Sequence, residues 1–348
     1  MITMEKTALI TTACKDLMTY GVWDQTTRLK NIIKKILKRP GVAAEDLIFW
    51  PIGLLAHGLW QCRKEPETEM QVREALDACF ARWQKRGMPV CYLDDLLYGE
   101  TLLNGCLSED TDRKKEKYRK AVDKMADYAM KYPLNETGSF PYRVSLKKGY
   151  VFVDGIGLAC PFLYRYGMIF DKQEYMELAV KQIVNFLAYG MDTASGLPYH
   201  GYDVSDGCKY GIIGWGRAVG WLLRGMSSCM QSEYGRERLM KPYRELIDTA
   251  LQYQRRDGYF SWQLQAVDGP ADTSSTGMIC TALKEGIEQG ILTEDKYLQA
   301  LQAGRSAIER AVNDGRVYQC SGECLDFSQY PQRYGAYPWS LGPALEVL

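Results

Sequence analysis

Histidine is scarce in this chain: of 348 residues only His57 and His200 are histidines. The eleven cysteines contain no Cys-x-x-Cys pair, and the two closest, Cys320 and Cys324, are separated by three residues. Zinc sites need clustered thiolates or imidazoles, so neither a structural metal nor a cofactor is expected. An odd, scattered set of cysteines within apolar helical patterns reads as reduced thiols. Charge of one sign is not in excess either, with 43 basic and 43 acidic residues. No field favours nucleic acid or an anionic membrane as a partner. An uninterrupted apolar run of about 20 residues, the length a transmembrane helix needs, is missing. The opening MITMEKTALITTACKDL has no basic segment, apolar core and small-residue cleavage site, so a cytoplasmic location is the expectation.

What is present is an ordinary globular composition, 46% hydrophobic and 25% charged, with helical periodicity almost throughout. The spacing predicts helices near 5–20, 25–38, 45–62, 68–84, 93–106, 112–131, 152–167, 171–189, 216–232, 239–254, 273–289, 293–313 and 336–348, and no convincing strand. Short connections near 63–67, 107–111, 168–170, 233–238 and 290–292 alternate with long ones at 132–151, 190–215, 255–272 and 314–335. That alternation describes helical hairpins whose long links, rich in Gly, Pro, Asp and Tyr, share one end of the molecule. About six hairpins fit one all-α domain over 1–348, a closed (α/α)6 barrel. An open solenoid of the tetratricopeptide sort is the alternative, but no 34-residue signature repeats.

The first helix of each hairpin starts with an aromatic or a charge: Trp50, Asp94 and Asp95, Asp154, Trp215 and Arg217, Asp272, and Trp339. In a closed ring these starts converge on one pit, where long aromatic loops are usually functional. Aromatics, carboxylates and an arginine around a pit describe a sugar-binding cleft better than a phosphate cradle. An aspartate at a helix start is often an N-cap, and Asp272 before TSST and at least one of Asp94 and Asp95 fit that role. Asp154 differs: VFVDGIGLACPF embeds a lone carboxyl in an apolar run, where it must find a partner or keep its proton. The stretch GIIGWGRAVGWLLRGM, residues 211–226, sets Arg217 between Trp215 and Trp221 among glycines that let helices and ligand come close. His57 in GLLAHGLW reads as structural.

With VFVDGIGLACPFLYRYG, GLPYHGYD and GWGRAVGW in this order, FWPIGLLAHGL before them and YGAYPWSLGPALEVL after, the chain resembles glycoside hydrolase family 105. These are unsaturated rhamnogalacturonyl hydrolases, related to the unsaturated glucuronyl hydrolases of family 88. The resemblance implies an (α/α)6 barrel and an oligosaccharide substrate with a 4,5-unsaturated uronic acid at its non-reducing end. It implies Asp154 as general acid/base, with Asp94 and His200 as its catalytic companions. Trp215, Arg217 and Trp221 would bind substrate, Arg217 gripping the uronate carboxylate, and Trp50 would line the pit. Two departures stand out: Val219 replaces the family's asparagine, and GSFPYR replaces a segment that carries histidine in many members, so that Tyr142 and Arg143 would bind substrate there instead. The sugar next to the uronate is left open by these changes. An ordinary inverting glycosidase using Asp94 and Asp154, or a non-catalytic helical scaffold, remains an alternative.

Overall fold

The computed structural model describes residues 2–20, 47–108, 111–143, 149–325, 327 and 329–348. The helix expected over 25–38 lies outside the described residues. In chain order the helices are α1 (Ile2–Thr19), α2 (Trp50–Gln61), α3 (Glu69–Lys85), α4 (Leu96–Leu107), α5 (Asp112–Lys131), α6 (Asp154–Ile169), α7 (Gln173–Tyr189), α8 (Gly216–Ser228), α9 (Glu233–Leu251), α10 (Thr273–Glu288), α11 (Asp295–Arg310) and α12 (Pro338–Val347). A single 3₁₀ turn, Leu93–Asp95, leads into α4.

Burial sorts these helices into two kinds. On α5 only Tyr118, Ala121, Val122, Met125, Ala126 and Ala129 are buried, a single stripe at helical spacing with a charged opposite face. On α8 every residue from Gly216 to Ser228 is buried, and α2 is buried continuously from Pro51 to Trp60. A helix buried all round has to be enclosed on all sides, and the packing shows how. Helix α2 packs on α4, α4 on α6, α6 on α8, α8 on α10, α10 on α12, and α12 returns to α2, so the even-numbered helices close a ring. The odd-numbered helices form the outer layer, each on its ring partner, with α1 closing the last pair against α12. The fold is the expected (α/α)6 barrel. Small residues permit the ring to close this tightly: a Cβ on Gly157 of α6 would lie 2.7 Å from the carbonyl oxygen of Trp221 on α8.

Strands that periodicity did not reveal do occur in the long links, because two or three residues are too few to show an alternation. β1 (Val151–Phe152), β2 (Gly201–Asp203) and β3 (Cys208–Tyr210) form an antiparallel sheet. β4 (Val312–Asn313) pairs with β5 (Arg316–Val317), and β6 (Cys320–Ser321) with β7 (Tyr334–Gly335). All eleven cysteines are free thiols.

About two turns beyond the helix starts, the ring encloses a second set of polar groups. Arg224 of α8 meets Glu100 of α4 at 2.7 Å and Glu346 of α12 at 3.7 Å. His57 of α2 meets Glu346 at 2.9 Å through Nδ1 and faces Glu100 at 3.8 Å through Nε2. His57 is thus structural, as expected, but through an ionic network that joins four of the six ring helices. Charges this deep persist only when paired. Despite its burial, the Glu346 carboxyl is lowered to about 2 by the His57 and Arg224 charges.

Candidate active site

The N-terminal ends of the ring helices gather at one end of the barrel, and the long links meet above them. One cavity of about 50 Å³ opens there, lined by Trp50, Tyr142, Asp154, Leu158, Trp215, Arg217, Trp221, Glu323 and Cys324. Six of these residues were expected at the site from the sequence; Leu158, Glu323 and Cys324 were not. A larger cleft of about 450 Å³ lies at the opposite end, between the α2–α3 and α4–α5 hairpins. Two of its cations are paired, Lys114 on Asp77 at 2.7 Å and Arg73 on Glu69 at 2.8 Å, and Arg63, also in its lining, lies on Trp60. No helix N-terminus of the ring opens into it, and the smaller cavity is the candidate site.

Asp154 is the first residue of α6, directly after β1. The register of β1 on β2 pairs Phe152 with Gly201, and the Val153 N–H donates to the His200 carbonyl at 2.9 Å. This pairing sets the His200 side chain beside the helix start, where Nε2 lies 2.9 Å from Asp154 Oδ2. The lone carboxyl in its apolar run is therefore satisfied by an imidazole. His200 is itself only 1% exposed, its ring flanked by Phe152 at 4.9 Å and Trp215 at 4.6 Å between centroids.

Asp94 is buried behind Tyr142 and does not line the cavity. Its Oδ2 accepts from Arg143 Nη2 at 3.0 Å and from the Tyr142 hydroxyl at 3.4 Å, while Oδ1 is buried with no hydrogen-bond partner among the described residues. Burial pushes the Asp94 carboxyl up, the Asp154 charge pushes it further, and the Arg143 guanidinium opposes both. The neighbouring Asp95 serves the backbone instead. Its Oδ2 accepts the N–H groups of Cys91 at 2.7 Å and Tyr92 at 3.2 Å, closing the turn that precedes α4. Arg143 lies over the rings of Tyr92 and Tyr142, 4.3 and 4.6 Å from their centroids. The segment that departs from the family pattern thus supplies the partners of Asp94, and of its two expected substrate contacts Tyr142 lines the cavity while Arg143 does not, its guanidinium being held by Asp94.

Arg217 departs from the role expected of it. It lies 4.8 Å from the Trp215 ring and lines the cavity, yet it is only 3% exposed. Nη1 donates to the Ser321 carbonyl at 3.0 Å, the Ser321 hydroxyl at 2.6 Å and Ser274 Oγ at 3.3 Å, and Nη2 donates to the Gly322 carbonyl at 2.8 Å. Both terminal nitrogens are thus engaged, and the fork holds the 321–322 segment, while no bond is made by Nε–H among the described residues. Asp272 works from the other side. It caps α10 by accepting from the Ser274 N–H at 3.1 Å and also takes the N–H and hydroxyl of Ser321, each at 3.0 Å. Both anchors bring the next residues, Glu323 and Cys324, over the cavity. Burial pushes the Glu323 carboxyl up, with Arg217 opposing and Asp94 adding.

Trp50 meets Trp221 edge-on at 6.2 Å and Trp339 at 5.0 Å, so three ring helices contribute to one aromatic wall. Val219, by contrast, is fully buried in the core. Sequence reasoning missed Tyr330, whose hydroxyl lies 2.8 Å from His200 Nδ1. Its only signal was its place in the long, aromatic link 314–335.

A model described as Glycosyl Hydrolase Family 88 matches residues 26–345. The chain is 25% identical over 308 residues to the unsaturated rhamnogalacturonyl hydrolase YesR of Bacillus subtilis (strain 168), covering 84% of this chain and 85% of that protein. Among solved structures, a possible member of the GH105 family from Klebsiella pneumoniae superposes with a TM-score of 0.83 at 16% identity, over 99% of this chain and 91% of that one. The unsaturated glucuronyl hydrolase of Bacillus sp. GL1 superposes with a TM-score of 0.73 at 17% identity, over 98% and 93% of the two chains.

Proposed function

The chain belongs to glycosyl hydrolase family 88 and is a glycoside hydrolase, and on that premise we propose that it removes a 4,5-unsaturated uronic acid, most simply unsaturated galacturonate, from the non-reducing end of lyase-generated oligosaccharides such as rhamnogalacturonan fragments. The observation that carries this reading is a carboxyl, Asp154, seated on His200 and facing a cavity walled by Trp50, Trp215 and Trp221.

In the substrate the C4=C5 bond is joined to the ring oxygen, a vinyl ether. Asp154, carrying a proton, donates it to C4. Positive charge develops at C5 and is shared with the ring oxygen. Water then adds at C5 and returns a proton to Asp154. The resulting hemiketal opens and the neighbouring sugar leaves. Acid–base help of this kind contributes about 10²–10⁴ in rate. His200 stabilises the carboxylate formed midway by hydrogen-bonding one of its oxygens. Asp94 is held by Arg143 and Tyr142 and does not line the cavity where water would attack. That position favours hydration over the ordinary inverting mechanism, which needs a second carboxylate beside water. The indoles offer flat faces to the sugar's C–H surface. Arg217 lends positive potential to the cavity while holding the segment that carries Glu323 and Cys324 over it.

No described helix is long and apolar enough to cross a membrane. The reading places residues 1–348 as one catalytic domain working in the cytoplasm on imported oligosaccharides. Two disaccharides test the reaction: one with an unsaturated uronic acid and one with its saturated counterpart. Hydration of the double bond predicts cleavage of the first alone. Cleavage of the saturated disaccharide at a comparable rate would overturn the proposal.

A further inference from the structure

Resting on that reaction, we infer that Tyr330 is a positioning residue that fixes the tautomer of His200 and thereby the side of the Asp154 carboxyl on which the proton sits. The link 314–335 brings Tyr330 against the face of His200 remote from the cavity. Its hydroxyl lies 2.8 Å from Nδ1, while Nε2 lies 2.9 Å from Asp154 Oδ2. With both ring nitrogens engaged, the partner of one decides the role of the other.

The direction follows from the chemistry of the three groups. A phenol donates a hydrogen bond more strongly than a neutral imidazole N–H, and an imidazole nitrogen accepts more strongly than a phenol oxygen. The Ile212 N–H also points at the Tyr330 oxygen, at 3.4 Å, and favours leaving the phenol's proton for Nδ1. Tyr330 therefore donates to Nδ1, Nε2 carries the hydrogen, and it donates to Asp154 Oδ2. An oxygen that already accepts this bond is the poorer seat for the acid's own proton, which falls to Oδ1. Among the described residues Oδ1 has no hydrogen-bond partner, and Asp154 lines the cavity.

The surroundings hold this arrangement closely. Tyr330 packs on Trp215 at 5.8 Å and Trp262 at 6.3 Å between centroids. Gly211, at φ +81°, admits it: a Cβ there would lie 2.5 Å from the Tyr330 hydroxyl and 2.6 Å from the His200 Cβ. This accounts for the first of the glycines in the 211–226 stretch, which makes room for a tyrosine behind a histidine.

The test uses the intact chain labelled with ¹⁵N-histidine. Because the protein has two histidines, the His200 ring gives one of two ¹H–¹⁵N correlation patterns, and His57 serves as the internal reference. The wild type is expected to show His200 as the Nε2–H tautomer. Tyr330→Phe is expected to show a mixture at His200 with His57 unchanged. Its kcat on an unsaturated disaccharide should fall about 10- to 100-fold with KM near wild type, the range known for losing the group that orients a metal-bound histidine, taken here as the analogue. Gly211→Ala should reproduce both effects. Finding the Nδ1–H tautomer in the wild type, or an unchanged tautomer and kcat in Tyr330→Phe, overturns the assignment. If the wild type is inert on unsaturated disaccharides the proposed reaction falls, while the spectra still decide what Tyr330 does.

Discussion

Replacing Glu346 by glutamine tests the ionic network that ties the ring helices together. Glu346 is 5% exposed, lies 2.9 Å from His57 and 3.7 Å from Arg224, and its carboxyl is lowered from 4.5 to about 2 in the folded protein. A folded value below the unfolded one adds stability that is complete above pH 4.5 and is lost as pH falls through about 2. At roughly 1.36 kcal/mol per unit, the carboxylate contributes about 3 kcal/mol at neutral pH. Glutamine keeps the shape and removes that contribution. The nearby Glu285 has its carboxyl raised by burial, so its own contribution runs the other way, fading as pH rises. It is present in both proteins and largely cancels from their difference. Urea denaturation midpoints, measured at intervals from pH 3 to pH 7, provide the assay. Glu346→Gln should be less stable by about 3 kcal/mol at pH 7, and the gap should narrow by up to about 1.4 kcal/mol per pH unit below pH 4.5. Parallel pH curves for the two proteins would refute the claim that Glu346 is held ionised by His57 and Arg224.

Three other outcomes follow from the same geometry. Arg217→Lys keeps the charge but loses the fork on Ser321 and Gly322, so thermal unfolding should register a loss of about 1–3 kcal/mol. Its KM should rise as that segment loosens, and an unchanged KM would mean that the segment is held without Arg217. Asp272→Ala removes an N-cap and both bonds to Ser321. It should cost more than the roughly 1 kcal/mol of an ordinary cap, a difference that denaturant midpoints would show. Arg224→Met leaves Glu100 and Glu346 buried beside His57 alone, and unfolding free energies should fall by about 3–5 kcal/mol.

The ring was legible because its helices announce themselves twice. They are rich in apolar and small residues, and each starts with an aromatic or a charge, four of them at the end of a long link. Those starts led directly to Trp50, Asp154, Trp215 and Arg217 around one cavity. The direction of Arg217 was not legible. Its position between two indoles says that it is near the site, but which acceptors take its N–H groups depends on a loop about a hundred residues further along the chain. Tyr330 escaped notice for a similar reason, since a link without periodicity does not reveal which of its aromatics turns inward. Glu100, Arg224 and Glu346 each look like an isolated polar residue in an apolar helix. Only the closed ring brings them together, and the clue lay in their shared spacing of about two turns after each marked helix start.

The central claim, that Asp154 protonates the double bond of an unsaturated uronic acid, is tested most directly by the ultraviolet absorbance of that conjugated bond. A lyase-generated disaccharide should lose its absorbance with wild-type enzyme in step with release of the neighbouring sugar. With Asp154→Asn the loss should be slower by about 10²–10⁴ while the disaccharide still binds. Release of the neighbouring sugar ahead of any absorbance change, or an Asp154→Asn variant as fast as the wild type, would contradict it.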